Sequence, residues 1–476
     1  MTGIQDLPFD VLLYIMSRIH DRRALYDYIR VSKVFYEAGM PSLYRSISLV
    51  VLRDYGSGFN FHPLDTLDKH TYLRPYVEDV EICFDLNEYI KHQSLSSRSS
   101  QPSPQWSKSL SHLRNITLLT IWHPENRYYP IRPEFSDTLI SAVLEFEKLE
   151  EVRLLARIDA TDIGRYSKLK TVRRMKFGLL TSGAPTFNIL GEWIKASRCE
   201  GLSVMEAYAV EPRTMKLISP FLDKLSTLHI GPSHALSNRD LLSLSSCTPQ
   251  LRFFDIFYDN FLAVPLDPGH TVVLNHLEVL VVRYSGVWSK PSCQDLFRFL
   301  RGLLATSSNL KSFNLIADDG KEIHHPQTGL VDLLCNSELG GTLEILNLPA
   351  VVFRKEQLAK LFGRMTQLRV MSLFLIDVRV LEFYQHLNLR HDHNLKLTAL
   401  YLRSNRTACP YFSVVQQVKK MMNALRGRGN EGYFRRLIQE KQTWQALWSE
   451  GSATDRAEDG ADLLQYEYPE MYGRFF

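Results

Sequence analysis

The chain has 476 residues, of which 45% are hydrophobic and 23% are charged, and its formal net charge is +4. This composition excludes general disorder and is typical of a soluble protein with one long domain or two to three ordinary ones. A charge of +4 over this length does not indicate a nucleic-acid partner. No apolar run approaches the roughly 18 residues that a membrane-spanning helix needs, so we expect no membrane partner.

Six cysteines lie far apart in the sequence, and no two of them have the spacing of metal ligands. The residues from Met1 to Leu7 are mixed in character and do not form a basic segment followed by an apolar one, as a secretory signal would. We therefore expect reduced thiols, which are mostly buried, and a cytoplasmic or nuclear location.

The first forty residues predict three short helices. Asp6, Asp21 and Ser32 are suited to cap the three N-termini, and Gly39 with Pro41 is predicted to end the third helix. A core of this size is poor, so much of the apolar surface should pack on the next domain or on a partner. Apolar residues recur at helical spacing in each segment: Leu12, Ile15, Met16 and Ile19; Leu25, Tyr28 and Ile29; Val34, Phe35 and Ala38.

Three pieces of this region, Leu7–Ile15, Val31–Tyr36 and Leu43–Leu49, resemble in order and spacing an F-box of the kind common in fungal proteins. Asp10 stands where the family often has glutamate, which keeps the charge. The resemblance implies binding of a Skp adaptor, which in turn joins a cullin. The alternative is a helical cap of the next domain that contacts nothing outside the chain. By position, the implied adaptor contacts are Leu7, Pro8, Leu12, Ile15, Ile19, Leu25 and Val31.

A phrase of the form L-x-x-L-x-L, with other apolar residues substituted freely, occurs twelve times from Val77 to Leu397. These two starts are 320 residues apart, so the eleven intervals average about 29 residues, as in leucine-rich repeats. An unrelated α/β domain with coincidental leucine spacing is the alternative, because the consensus asparagine is mostly absent. The phrases begin at Val77, Leu113, Leu149, Val172, Leu202, Leu225, Leu251, Leu277, Leu310, Leu343, Leu368 and Leu397.

Segments with helical spacing lie between the phrases, so each period supplies one strand and one helix. This pattern predicts an α/β fold: a three-helix F-box followed by a β-α leucine-rich-repeat solenoid, or horseshoe. The predicted helices are 137–148, 186–197, 214–222, 240–246, 294–306 and 355–365. The predicted domains are the F-box (1–49), a connector (50–76), the solenoid (77–409) with a Ser-rich loop (94–111), a helical C-terminal cap (410–449) and an acidic tail (450–476).

Side chains alternate along a strand, so the residue between the last two leucines of each phrase should face outward on the concave sheet. The mixed charges of this row suggest complementarity with a protein substrate. Arg153 and Lys176 together suggest an acidic or phosphorylated segment there. The predicted substrate-binding residues are Arg153, Lys176, Glu206, His229, Asp255, Asn314, Asn347 and Tyr401.

Motifs for catalysis are missing from the sequence. Gly427, Gly429 and Gly432 have the G-x-G-x-x-G spacing, but a predicted helix precedes them instead of a strand. His324–His325 and His391–His393 lack further ligands at useful spacing, so no metal site, catalytic residue or cofactor is expected.

The sequence therefore predicts a non-enzymatic substrate-recognition subunit of a Skp–cullin–F-box ubiquitin ligase, present as a monomer within the complex and binding an unknown protein substrate. One alternative is a leucine-rich-repeat scaffold with no ligase role. Another is an enzyme with an unrecognised α/β fold.

Overall fold

The chain divides into two compact units, Met1–Phe221 and Leu222–Phe476. Each unit contains parallel strands whose order in the sheet is their order in the chain, as expected for stacked β-α repeats. The computed structural model describes residues 7–19, 21–51, 63–84, 104–122, 133–267, 269, 271–287, 289–318, 323, 328–336, 339–353, 355–365, 367–375 and 399–404.

The first unit begins with three helices, α1 (Phe9–Ser17), α2 (Arg22–Ile29) and α3 (Lys33–Tyr44). Its strands are β1 (Ser46–Val51), β2 (Asp79–Phe84), β3 (Leu118–Trp122), β4 (Glu151–Ile158), β5 (Arg174–Leu180) and β6 (Gly201–Glu206). The α-helices after β1 are Pro63–Lys69, Pro104–Ser111, Pro133–Val143, Ala160–Tyr166, Ala184–Ser197 and Pro212–Ile218, and the 3₁₀ helices are Thr71–Tyr76 and Ser219–Phe221.

The second unit repeats this alternation. Its strands are β7 (Thr227–Ile230), β8 (Phe253–Asp259), β9 (Val279–Ser285), β10 (Ser312–Ala317), β11 (Ile345–Phe353), β12 (Val370–Leu375) and β13 (Ala399–Ser404). Its α-helices are Asn238–Ser246, Lys290–Leu304, Thr328–Asn336, Leu339–Thr342 and Lys355–Arg364, and Asn260–Leu262 is a 3₁₀ helix.

The predicted β-α repeat is confirmed, with three differences. The sheet begins at Ser46 and not at Val77, because β1 pairs in parallel with β2. Within the predicted Ser-rich loop, Pro104–Ser111 is a helix, since Trp106 and Leu110 lie one turn apart and are both buried. Residues 94–103, the predicted C-terminal cap and the acidic tail lie outside the described residues.

The six predicted inter-strand helices are also confirmed, with shifted ends. The segment predicted at 137–148, for example, is the helix Pro133–Val143. Several of these helices begin with a capping box, in which the N-cap side chain and the third helical residue satisfy each other's backbone N–H groups. Ser237 and Ser289 are the N-cap residues of two such boxes, and Asp159 begins a third at Ala160–Tyr166, a helix that the sequence did not predict.

Two of the three predicted N-cap residues of the N-terminal helices are confirmed. Asp21 accepts a hydrogen bond from the Arg23 backbone N–H at 2.9 Å, and Ser32 accepts one from Phe35 at 3.3 Å. The first helix begins after Pro8, and Asp6 lies outside the described residues.

The third helix does not end at Gly39 and Pro41 but continues to Tyr44. A Cβ at Gly39 would lie 2.3 Å from Cγ2 of Ile29. This glycine therefore lets α2 and α3 approach closely and does not terminate the helix.

A ladder of residues, one immediately before each of β1 to β12, links neighbouring repeats. Apart from Arg45 and Ser226, which come first in each unit, the backbone N–H of each residue donates to the carbonyl of its equivalent one repeat earlier, for example from Glu78 to Arg45 at 2.8 Å and from Glu278 to Arg252 at 2.8 Å. We call these residues the edge ladder. Its members are Arg45, Glu78, Thr117, Glu150, Arg173 and Glu200 in the first unit, and Ser226, Arg252, Glu278, Lys311, Glu344 and Arg369 in the second.

The charges of the edge ladder alternate in sign through most of its length, so that neighbouring members form ion pairs. In the second unit, Glu278 accepts hydrogen bonds from Arg252 Nε at 2.7 Å and from Lys311 Nζ at 2.9 Å. Burial works to raise the pKa of Glu278, but the hydrogen bonds from the two cations outweigh it and hold the pKa below its usual value. Because opposite charges meet only when each repeat packs beside its correct neighbour, the alternation of charge favours the observed order of the repeats.

A buried carboxyl in the first unit makes stability depend on pH. Burial, and secondarily the charge of Asp159, raise the pKa of Asp162 from 3.8 to about 6. The folded state therefore binds the proton more tightly than the unfolded state does. The contribution of protonated Asp162 to the free energy of unfolding is fully present below about pH 3.8, and it is lost as the pH rises through 6.

The variant Asp162→Asn should lack this dependence, because an amide does not titrate but can still accept the hydrogen bond from the Asp159 N–H. Urea unfolding would measure the free energy of unfolding of both proteins at pH 4.5 and pH 7. Between these two pH values, we expect the free energy of the variant minus that of wild type to rise by about 1–2 kcal/mol. Parallel stability changes in the two proteins would contradict this assignment.

Candidate functional site

The three N-terminal helices bury one side and expose an unusual number of apolar side chains on the other. Their own core contains Leu12, Met16, Leu25, Phe35 and Ala38, with Ile19 and Leu43 packed against it. On the outside, Val31 is 59% exposed and Leu7 is 37% exposed. We define the N-terminal apolar surface as the exposed residues Leu7, Pro8, Phe9, Val11, Leu13, Tyr14, Tyr26, Tyr28, Val31 and Val34.

The structure divides the predicted adaptor-binding residues into two groups. Leu7, Pro8 and Val31 are exposed and Ile15 is half-buried, so a partner can reach them. Leu12 and Leu25 are 0% and 2% exposed, so these two cannot serve as direct contacts in this fold. Ile19 is partly buried against the same core. The physical reason is that three helices need a core of their own, and the apolar stripe of α1 supplies it.

The N-terminal helices are also fixed to the sheet that follows them. Arg22 on α2 donates through Nη2 to the carbonyls of Leu43 and Ser46, both at 3.0 Å, where α3 meets β1. The hydroxyls of Tyr36 and Tyr72 lie 3.4 Å apart and connect α3 to the 3₁₀ helix Thr71–Tyr76. Any partner held by the helices is therefore held at a fixed position relative to the first repeats of this unit.

The residues predicted for the substrate-binding row in the first unit are in register on two strands and out of register on a third. Arg153 on β4 and Lys176 on β5 are register partners. The partner of Lys176 on β6 is Ser203, whereas Glu206 pairs with Leu179. The predicted phrase starts at Leu202, but the same loose apolar pattern also fits three residues earlier. The residues that point inward from β6 are Leu202 and Val204, so the predicted register was three residues too late.

A basic cluster occupies a block of two residues on each of β4 and β5. Glu151 and Arg174 are register partners, next to the partners Arg153 and Lys176. Glu151 is 7% exposed and accepts from Arg153 Nε at 2.5 Å, and Arg174 Nε lies 3.2 Å from its other oxygen. We refer to these four residues as the basic cluster. Sequence reasoning identified Arg153 and Lys176 but missed Arg174 and the buried carboxylate, which only the strand register brings together.

In the second unit the predicted row is in register throughout, but much of it is buried. His229, Asp255, Asn314 and Asn347 occupy equivalent positions on β7, β8, β10 and β11. Asp255 is 4% exposed, and Asn314 and Asn347 are each 1% exposed. Tyr401 is in register on β13, and its side chain lies outside the described residues.

Polar groups of this row mainly contact one another. Asp255 accepts from Nε of Arg283 at 3.3 Å and lies 3.9 Å from His229 Nε2. Asn314 donates to the Ser312 hydroxyl at 3.1 Å. Asp255, Asn314 and Asn347 are thus not available on the surface as the sequence predicted. The strand pattern fixes which face a side chain occupies, but it does not say whether that face is covered.

The described residues contain no group of three or more His, Cys, Asp or Glu side chains that could hold a metal ion. Burial raises the pKa of the Cys199 thiol to about 12 and that of Cys335 to about 11, so both thiols are protonated and weakly nucleophilic near neutral pH. Five free cysteines are described, and Cys409 and both histidine clusters lie outside this part of the chain. Among the described helices, none has the length and apolar character to cross a membrane.

No family model matches this sequence, and no curated protein matches it. Among solved structures, a chain in the crystal structure of the Rad7 and Elc1 complex in yeast is similar, with a TM-score of 0.40 and 11% identical residues. The match covers 78% of this chain and 90% of that chain. A likeness of this size does not assign a function.

Proposed function

We propose that this chain is the substrate-recognition subunit of a Skp–cullin–F-box ubiquitin ligase in the cytoplasm or nucleus. The N-terminal apolar surface docks a Skp adaptor, which joins a cullin, and the β-α repeats hold a protein substrate. The chain makes and breaks no bonds itself. It promotes ubiquitin transfer by holding substrate lysines near the conjugating enzyme, which raises their effective concentration.

The exposure of the N-terminal apolar surface is the observation that supports this proposal. Soluble monomers rarely expose large groups of apolar side chains, and such groups indicate binding sites for proteins. Here they lie on the helices whose sequence resembles an F-box, and they include Leu7 and Pro8 of the Leu-Pro pair.

The repeats supply the second half of the proposal. Their strands present polar and charged side chains of both signs in the first unit, where Glu81, Arg153 and Lys176 are half-buried and reachable. Mixed charges on a regular sheet suit a protein surface better than a nucleic-acid backbone, which would require a continuous basic surface.

The experiment is co-purification of the full chain with a Skp adaptor and then with a cullin. We expect a stable complex with the adaptor alone, and ubiquitin transfer to bound proteins once the cullin and a charged conjugating enzyme are added. A folded chain that binds no Skp adaptor would contradict the proposal and favour a repeat scaffold without a ligase role.

A further inference from the structure

The second unit buries the face of its sheet that points away from the helix between β9 and β10. Tyr258 on β8 packs against Phe299 of this helix, with ring centroids 5.2 Å apart, so the helix lies on the face of Tyr258. Side chains alternate along a strand, so Asp255 belongs to the opposite face. The strand register brings Asn314 and Asn347 to that same face, which we call the row face.

Burial of the row face extends over four strands. Register partners on β8 to β11 are each at most 2% exposed: Phe253, Val279, Ser312 and Ile345. At the same position after the edge ladder in the first unit, Leu118 is half-buried and the Arg174 side chain is 37% exposed. A position on the sheet therefore does not bury these side chains by itself, and the row face is one side of a contact.

Two amide side chains of the row face do not use all their hydrogen-bonding groups. Asn314 and Asn347 are register partners on β10 and β11, and each is 1% exposed. Nδ2 of Asn314 donates to the Ser312 hydroxyl, but Oδ1 of Asn314 and both polar atoms of Asn347 have no hydrogen-bond partner among the described residues. Buried polar groups without partners are costly, so the group that covers them has to supply donors and acceptors.

The surroundings of the two amides indicate what kind of group this is. Val281 is the register partner of Asn314 on β9 and is 3% exposed, and Ile345 precedes Asn347 on the same face at 2% exposure. A side-chain amide offers one donating and one accepting group, and a peptide unit with free N–H and C=O groups matches both. The row face therefore suits a polypeptide segment that brings both peptide groups and apolar side chains.

We propose that the chain's own residues 405–426, which lie outside the described part of the structure, cover the row face and hydrogen-bond with Asn314 and Asn347. By the pattern of the repeats, residues between two strands supply the helix layer, and the chain after β13 has no such role. β13 ends at Ser404, two strands from β11. Neighbouring strands lie about 4.8 Å apart, so the segment starts about 10 Å from β11, a distance that about three extended residues span.

The sequence of this segment supplies both chemical groups. Val414, Val418, Met421 and Leu425 recur at helical spacing and predict an apolar stripe that can cover the apolar part of the row face. The residue before a proline disfavours the helical conformation, so residues 405–409, before Pro410, are expected to be extended. Extended residues leave peptide groups unpaired, and these are the groups that the two asparagines require.

This contact has a consequence for substrate binding, and that consequence rests on the proposed function. The segment covers the part of the predicted substrate-binding row that belongs to the second unit. A substrate would therefore be held by the first unit, or it would have to displace residues 405–426 from the second.

The test places a reporter cysteine on the row face of the full chain and measures its reaction with iodoacetamide. Asn347→Cys introduces a side chain of similar size, and mass spectrometry separates its product from those of the native cysteines. We expect the reporter to react about 10-fold or more slowly in the folded chain than in urea, because alkylation requires local opening. A reporter that reacts equally fast in both states would overturn the proposal.

Changes in the segment identify what covers the reporter. Val418→Asp/Met421→Asp should release the segment and speed alkylation by about 10-fold, because two charges would have to be buried against the row face. The matched control Leu463→Asp/Leu464→Asp makes the same change in the predicted acidic tail and should leave the rate unchanged. No acceleration by the first variant, or an equal acceleration by the control, would overturn the proposal.

Hydrogen exchange of the chain without the reporter gives a second measurement, which serves also if Asn347→Cys does not fold. Backbone amides of residues 405–409 should be protected in the unaltered chain. Asn314→Ala/Asn347→Ala should speed their exchange by about 10-fold, while the amides of β4 in the first unit keep their rates. Unprotected amides in the unaltered chain, or protection that the two alanines leave unchanged, would overturn the proposal.

Binding of a Skp adaptor is measured on the same samples, so that this inference and the proposed function can fail separately. An open reporter in a chain that binds the adaptor would overturn only the covered row face. A protected reporter in a chain that binds no adaptor would overturn only the ligase role.

Discussion

Replacement of Leu7 and Pro8 by alanine should weaken binding of a Skp adaptor by about 30- to 1,000-fold. Both residues are exposed in the free chain, and burial of such side chains in an interface contributes about 1–2 kcal/mol each. Because neither residue belongs to the core of the three helices, the variant should remain folded. Isothermal titration of the purified full chain with the adaptor would measure the change.

Two further variants separate docking from folding. Phe261→Ala/Val273→Ala removes two exposed apolar side chains from the second unit, at 72% and 59% exposure, and should leave adaptor binding unchanged. Leu12→Ala removes a fully buried side chain and should lose binding together with stability, by about 2–5 kcal/mol of unfolding free energy. Adaptor binding that is equally weakened by the exposed changes in both units would show that the N-terminal apolar surface is not the docking site.

Replacement of Glu278 by lysine should destabilise the second unit by about 2–4 kcal/mol. Glu278 lies between Arg252 and Lys311 in the edge ladder and its side chain is only 19% exposed. The substitution would place three cations at neighbouring positions and remove the acceptor of both hydrogen bonds. Chemical denaturation of the full chain, followed by a probe in the second unit, would measure this loss.

The matched control is Glu200→Lys, which reverses the same charge in the first unit. There, the pair with Arg173 is long, at 3.4 Å, and its two side chains are 53% and 61% exposed. Exposed pairs contribute about 0–1 kcal/mol, so the control should lose little stability. Since the pKa of Glu278 is lowered in the fold, its contribution is present above its unfolded value of 4.5 and is lost as the pH falls. A Glu278→Lys effect no larger than that of Glu200→Lys would contradict the role of the edge ladder.

The positions of most elements could be predicted because their signals are local. Asp21 and Ser32 cap helices through hydrogen bonds within three residues, and the apolar spacing of 355–365 suffices for a helix. The same local signals fail where a distant contact decides. Gly39 is followed by Pro41, a pattern typical of a helix end. In the structure, Gly39 packs against Ile29 on α2, and the third helix continues to Tyr44.

In the candidate sites, too, local patterns predicted some residues, and contacts between strands decided the others. Arg153 and Lys176 could be predicted as neighbours because both strands follow the repeat phrase closely. Glu206 could not be placed, since two registers of the phrase are equally apolar and only the hydrogen bonds between β5 and β6 choose one. Arg174 joined the cluster through its register pairing and its ion pair with Glu151, neither of which the repeat phrase specifies.

The sequence by itself determined the alternation of strands and helices, because the period of apolar residues follows directly from backbone geometry. Tertiary structure decided which apolar residues of the first helices are core and which are free, as Leu12 and Leu25 demonstrate. It also decided that Asn314 and Asn347 are buried and that charges one repeat apart form ion pairs. These outcomes depend on contacts between residues that are far apart in the chain, and no local pattern specifies them.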